Sequence, residues 1–98
     1  MTIDVKKNDG QVTITIAGRL DTITAPALEK AINENVRNEK HLVLDIKELN
    51  YISSAGLRVL LGAQKKMQKI GSMKVTGVCE AVMDIFEMTG FADILVIA

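Results

Sequence analysis

The sequence predicts an α/β fold, a mixed sheet of about four to five strands flanked by three helices, within a single domain spanning residues 1–98. Three observations carry this reading. Two short strand-like runs meet at Asn8-Asp9-Gly10, apolar strands then alternate with stretches of helical periodicity, and no repeat or linker interrupts the chain. Strand–helix–strand alternation calls for parallel crossovers, and the first pair of strands adds an antiparallel hairpin.

Ile3–Lys7 and Gln11–Ala17 are the hairpin strands. Asp-Gly supplies the positive backbone angles of a tight turn. In the second strand Val12, Ile14 and Ile16 alternate with Gln11, Thr13 and Thr15, so one face is buried and the other polar. Gly18 to Thr24 reads as a loop. Thr24 with Pro26 just inside marks a helix start, because proline lacks an amide that would be unpaired there. This helix is expected to run to about Asn38, with Ala27, Leu28, Ala31, Ile32, Asn35 and Val36 inward. His41–Ile46 is an aliphatic strand whose Val43, Leu44 and Ile46 suggest cover on both faces.

A second helix is expected from about Ser54 to Ile70, with Leu57, Leu60, Leu61, Gln64 and Met67 on one face. Arg58, Lys65, Lys66 and Lys69 lie outside, and Gly71 marks the end. Met73–Thr76 is a short strand, Glu80–Thr89 a third helix with Val82, Ile85 and Phe86 inward, and Ile94–Ile97 a last apolar stretch. Ser53 or Ser54 falls at or beside the N-cap of the second helix. There a hydroxyl oxygen accepts from an orphan amide, and those amides with the helix dipole favour a phosphate.

Composition narrows the function. Twelve basic and twelve acidic side chains cancel, so no overall field gathers nucleic acid or anionic lipid. With 48% apolar and 24% charged residues the chain is expected to fold rather than remain disordered. No stretch reaches the ~20 apolar residues of a membrane span, and the N-terminus lacks an apolar signal core, so a cytoplasmic location is expected. The single cysteine, Cys79, precludes an internal disulfide and a multi-cysteine metal site, and is expected to be inert. No phosphate-binding glycine loop is present, His41 at the start of a strand is expected to have no catalytic role, and no cofactor or metal is expected. A serine at a strand-to-helix turn is one mark of a hydrolase elbow. That motif needs glycine two residues before the serine, and Tyr51 or Ile52 stands there instead. Met83 and Met88, off the main inward stripe of the third helix, are candidate contact residues.

The run from Val43 through Asp45, Asn50, Ser53-Ser54-Ala55-Gly56-Leu57 and Arg58 to Leu61 resembles the signature of the STAS domain, specifically free-standing bacterial anti-sigma factor antagonists. Two further stretches, Ala17-Gly18-Arg19-Leu20-Asp21 with Thr24-Ala25-Pro26, and Glu80-Ala81-Val82 through Thr89-Gly90-Phe91, are similar to the family in the same order. The resemblance implies a protein that binds an anti-sigma factor which is itself a serine kinase, lets go when phosphorylated, and is restored by a serine phosphatase. It implies no enzymatic activity, and we expect a monomer. Ser54, two residues before Gly56, matches the family's modified serine. Ser53 stands where the family has a frequent Asp and is the alternative acceptor. The implied partner-binding residues are Asp21, Ser53, Ser54, Ala55, Gly56 and Arg58. Many members continue beyond the position of Ala98 into another helix. A constitutive STAS adaptor, docking partners without phosphorylation, is the alternative function.

Overall fold

A computed structural model describes residues 1–98. Four strands, β1 (Thr2–Asn8), β2 (Gln11–Leu20), β3 (His41–Ile52) and β4 (Ser72–Thr76), form one sheet in the order β1-β2-β3-β4. β1 and β2 are antiparallel; β2, β3 and β4 run parallel. Helices α1 (Ala25–Asn35), α2 (Ser54–Ile70) and α3 (Glu80–Thr89) supply the crossovers and cover, and a short 3₁₀ turn follows at Phe91–Asp93. The expected mixed sheet with an N-terminal hairpin and three helices is therefore observed.

The hairpin forms where its turn chemistry places it. Asp9 and Gly10 have φ of 48° and 80°, and Asn8 pairs with Gln11 across them. The alternation of β2 then decides which face is covered. Val12, Ile14 and Ile16 are fully buried with Leu42 and Leu44 of β3, while Thr13, Thr15 and Asp45 on the other face are half-buried. Val43 lies in that second row between Thr13 and Lys74. It is buried, yet its neighbours in the row are polar, so the two-sided apolar cover expected for the strand is confined to this one side chain.

Several boundaries differ from expectation, each for a tertiary reason. β2 continues past Ala17 to Leu20, and β3 past Ile46 to Ile52, because the two extensions pair with each other. The pairs are Ala17 with Glu48, Gly18 with Leu49, Arg19 with Tyr51 and Leu20 with Ile52, with register shifts between Thr15 and Ala17 and between Gly18 and Arg19. Such irregularities bend a strand and re-aim its end. Polar Lys47-Glu48 and Asn50-Tyr51 gave no strand signal, since only Leu49 and Ile52 of this segment turn inward.

α1 stops at Asn35 rather than near Asn38. Val36 leaves the helix at φ −103°, ψ 92° with its side chain buried, and Lys66 Nζ of α2 donates to its carbonyl at 3.1 Å. Ala27, expected inward, is exposed, and Ala25 is buried in its place. The Ile94–Ile97 stretch forms only a single parallel bridge, Ile97 to Val75 of β4. One cluster of 22 buried residues, from Val12 to Leu95, unites the sheet with all three helices. Gln64 is its buried polar exception, and its Oε1 has no hydrogen-bond partner. No helix is long and apolar enough to cross a membrane.

Candidate functional site

The site forms where β2 and β3 end side by side. Because Leu20 pairs with Ile52, the Ser53 N–H donates to the Leu20 carbonyl at 2.8 Å, fixing the start of α2 against the loop that leads to α1. Two chain segments distant in sequence thus share one end of the sheet.

At the start of α2 the two serines have different jobs. Ser53 is the N-cap, extended at φ −96° and ψ 175°, with its Oγ accepting from the Gly56 N–H at 3.4 Å and its carbonyl accepting from Leu57 N–H at 2.9 Å. Ser54 is the first helical residue. It is exposed, and its hydroxyl has no partner within the protein. The capping role left open between the two therefore falls to Ser53. Ser53→Ala is expected to lower stability by about 1 kcal/mol, the ordinary loss of a cap, and Ser54→Ala by far less. Thermal melts of the two variants check this; equal losses would show that Ser53 is not the cap.

Gly56 is buried rather than presented to solvent. A Cβ built there would lie 2.7 Å from Leu20 Cγ and 2.8 Å from Ile52 Cγ1. Its place in the site is that of a spacer that lets the first turn of α2 settle on the ends of β2 and β3. Ala55 is half-buried beside it, and Arg58, one turn after Ser54, is exposed.

The neighbouring loop is built around Asp21. Asp21 Oδ1 accepts from Ile23 N–H at 3.0 Å and Thr24 N–H at 3.1 Å, and the Asp21 carbonyl accepts from Ala25 N–H at 2.8 Å. Asp21 thus caps the turn that leads into α1, whereas Thr24, expected to start the helix, makes no side-chain cap to it. Thr24 Oγ1 instead accepts from the Asp21 N–H at 2.8 Å and donates to the Arg19 carbonyl at 2.8 Å. Pro26 sits in the first turn of α1 as expected. Arg19 lies over the Tyr51 ring at 4.2 Å from its centre and approaches Asp21 Oδ2 at 3.8 Å, binding loop and β3 together.

The Thr24 amide foremost, with the Thr24 side chain, the Ile23 amide and the Arg19 charge behind it, holds the Asp21 carboxyl below its ordinary 3.8, while burial, the second-largest influence, works against them. The sign follows directly. A depressed carboxyl steadies the loop above its unfolded value and loses that effect as pH falls through the folded value. The Ile23 and Thr24 amides are expected to keep their exchange protection down through the ordinary carboxylate range and to lose it only at the lower pH where the Asp21 carboxyl itself takes up its proton; protection that outlasts the titration of Asp21, followed by carbon NMR of its carboxyl, would remove the carboxylate from this role.

Around the serine the surface is apolar and clefted. One cleft of about 240 Å³ runs between α2 and the end of α3, lined by Ser54, Leu57, Arg58, Leu61, Thr89 and Phe91. On the other side of Arg58, Thr22, Ala25, Pro26, Glu29, Ala55 and Val59 line a second of about 190 Å³. Ile23, on the Asp21 loop, is 87% exposed, and Met88, next to Thr89, is 85% exposed. Of the two methionines singled out from sequence, Met83 packs against the core and Met88 stands free. Ile23, Thr89 and Phe91 were not foreseen. An isoleucine amid the polar loop residues was the available signal for Ile23; nothing in the sequence linked Phe91 to the serine.

Elsewhere the chemistry is sparse. His41 Nδ1 lies 2.8 Å from Ser72 Oγ where β3 and β4 begin, at the opposite end of those strands from Ser53. Cys79 Sγ approaches the Leu49 carbonyl at 3.4 Å. No group of three or more His, Cys, Asp or Glu side chains is placed to hold a metal ion.

The sequence profile of the STAS domain matches residues 2–98. The anti-sigma-B factor antagonist of Bacillus subtilis is 32% identical over 94 residues, covering 95% of this chain and 86% of that protein. The crystal structure of an anti-sigma factor antagonist from Mycobacterium paratuberculosis superposes with a TM-score of 0.88 at 29% identity, covering 98% of this chain and 83% of that one. The anti-sigma factor antagonist SpoIIAA in its unphosphorylated form matches with a TM-score of 0.84 at 16% identity, over 99% of this chain and 88% of that one, and shows the shared fold.

Proposed function

Because this chain belongs to the STAS domain family, we propose that it is an anti-sigma factor antagonist whose grip on its partner is switched off by phosphorylation of Ser54. The observation that carries the reading is the division of labour at the start of α2. Ser53 Oγ is engaged as the cap, while Ser54 Oγ is exposed and unpartnered on the rim of an apolar cleft. The names of the relatives, anti-sigma factor antagonists at 32% identity in Bacillus subtilis, support the partner class.

The protein acts in this reading as a cytoplasmic binding module. An anti-sigma factor with serine kinase activity docks over Ser54, with Arg58, Ala55, Ile23 and Met88 around it. Bound there, it moves the γ-phosphoryl group of ATP onto Ser54 Oγ, releasing ADP and the hydroxyl proton. The dianion left on the rim then opposes rebinding until a serine phosphatase hydrolyses it. Asp21 serves by holding the loop that presents Ile23, and Gly56 by letting the serine turn sit low on the sheet end.

Incubation with the cognate kinase and ATP, followed by mass-spectrometric mapping, tests this. Phosphate on Ser54 is expected. Modification of Ser53 would mean that the capping serine is released on docking and is the acceptor, and no modification of either would favour the constitutive adaptor.

A further inference from the structure

Arg58 has no acidic partner. The ion pairs of the protein are Lys7 with Glu39, Arg19 with Asp21 and Lys47 with Asp45, and the exposed Arg58 guanidinium takes part in none. It stands four residues after Ser54 within α2, so the two side chains leave the same face of the helix one turn apart. It is also the wall common to the two clefts, with Ser54 on one side and Glu29 on the other. These are the charged and polar groups that face it from the packed elements. α1 contributes Glu29, the loop before it Thr22, and the end of α3 Thr89.

We propose that a phosphoryl group on Ser54 is held internally by Arg58, so that modification both adds negative charge to the rim and withdraws the one unpaired cation from it. The proposal rests on Ser54 being the acceptor. Its physics is that of a charge-assisted pair. A phosphoserine carries about 1.5 to 2 negative charges and three acceptor oxygens, and a guanidinium meets such a group with two parallel donors. Spacing of i and i+4 puts the pair within reach with no backbone change. Glu29 carries a single charge and lies across a cleft, so it competes poorly.

The consequence for recognition is specific. Drawn over Ser54, the Arg58 side chain crosses the mouth of the cleft formed by Leu57, Leu61, Thr89 and Phe91, and a partner carboxylate that had paired with Arg58 loses its cation. Phosphorylation would then close an apolar seat as well as repel.

The test needs no kinase, which separates its failure from that of the acceptor assignment. The full chain is made with phosphoserine incorporated at position 54 during translation, in the wild-type background and with Arg58→Gln or Arg58→Lys. The second ionisation of the phosphate, ordinarily near about pH 6, is followed by phosphorus NMR. The wild-type background is expected to titrate about 0.3 unit lower than Arg58→Gln, with Arg58→Lys recovering part of the shift through charge alone. The Arg58 Nε–Hε resonance is expected to move downfield along the same curve. Coincident titrations in all three backgrounds, or an Arg58 resonance that stays fixed, would overturn the pairing.

Discussion

Gly56→Val is expected to lower the melting temperature by about 12 to 24 °C and to take partner binding with it. The first added atom alone would stand 2.7 Å from Leu20 Cγ and 2.8 Å from Ile52 Cγ1, both inside a packed core. Replacing glycine within a helix returns about 0.5 to 1 kcal/mol of propensity, whereas overpacking of this kind costs about 1 to 3 kcal/mol and more for a branched side chain. The steric effect wins. A net loss near about 3 kcal/mol gives the stated shift, since about 1 kcal/mol moves a domain of this size by 4 to 8 °C. Gly56→Ala sets the same two effects closer to balance and is expected to lose less. The check is a thermal melt of both variants beside an affinity measurement. A Gly56→Val protein that melts like the wild type would show that Leu20 and Ile52 yield freely, and the spacer role of Gly56 would be wrong.

Ser54→Asp is expected to fold normally and to bind the proposed anti-sigma factor partner a few hundredfold more weakly. A negative group at the first position of α2 is favoured by roughly 0.3 to 1 kcal/mol, so the isolated domain has no reason to lose stability. Against a docked partner the balance reverses. The new carboxylate draws on Arg58, the one cation lining the two clefts, so either it or the partner group that Arg58 would have met is buried without a matching cation; that costs about 3 to 4 kcal/mol, and each 1.4 kcal/mol is a factor of ten in affinity. Ser54→Ala, which removes an unpartnered hydroxyl and no cap, is expected to bind as the wild type and to resist the kinase. Calorimetric titration with the purified partner decides. Wild-type affinity for Ser54→Asp would place the docking surface elsewhere on the protein.

Both effects arise from one arrangement, the serine turn seated on the paired ends of β2 and β3. Ser53 supplies the cap, Gly56 permits the seating, Asp21 shapes the adjoining loop, and Ser54 and Arg58 remain free on top. In the proposed reading stability and switching therefore fall on different residues of the same short stretch, so that a change at Ser54 is expected to alter binding and leave the fold unaffected.

The sequence by itself determined the hairpin, the order of strands and helices, the start of α2 at Ser54 and its end at Ile70, and the serine pair as the point of interest. These are local matters. An Asp-Gly turn, a period of two along β2, a period of 3.6 along α2 and a serine before a helix each declare themselves within a few residues. Only the tertiary structure decided that β2 and β3 run on to Leu20 and Ile52, because the polar stretches Arg19 and Lys47–Tyr51 become strand by pairing with each other and not by any pattern of their own. Only the tertiary structure gave the cap to Ser53 and a place beside Ser54 to Phe91. The reason is the same in each case. Which of two adjacent hydroxyls meets an amide, or which distant side chain walls a cleft, depends on how chain ends far apart in sequence come to lie together, and that is settled by the packing of Leu20, Ile52 and Gly56 and not by the residues taken singly.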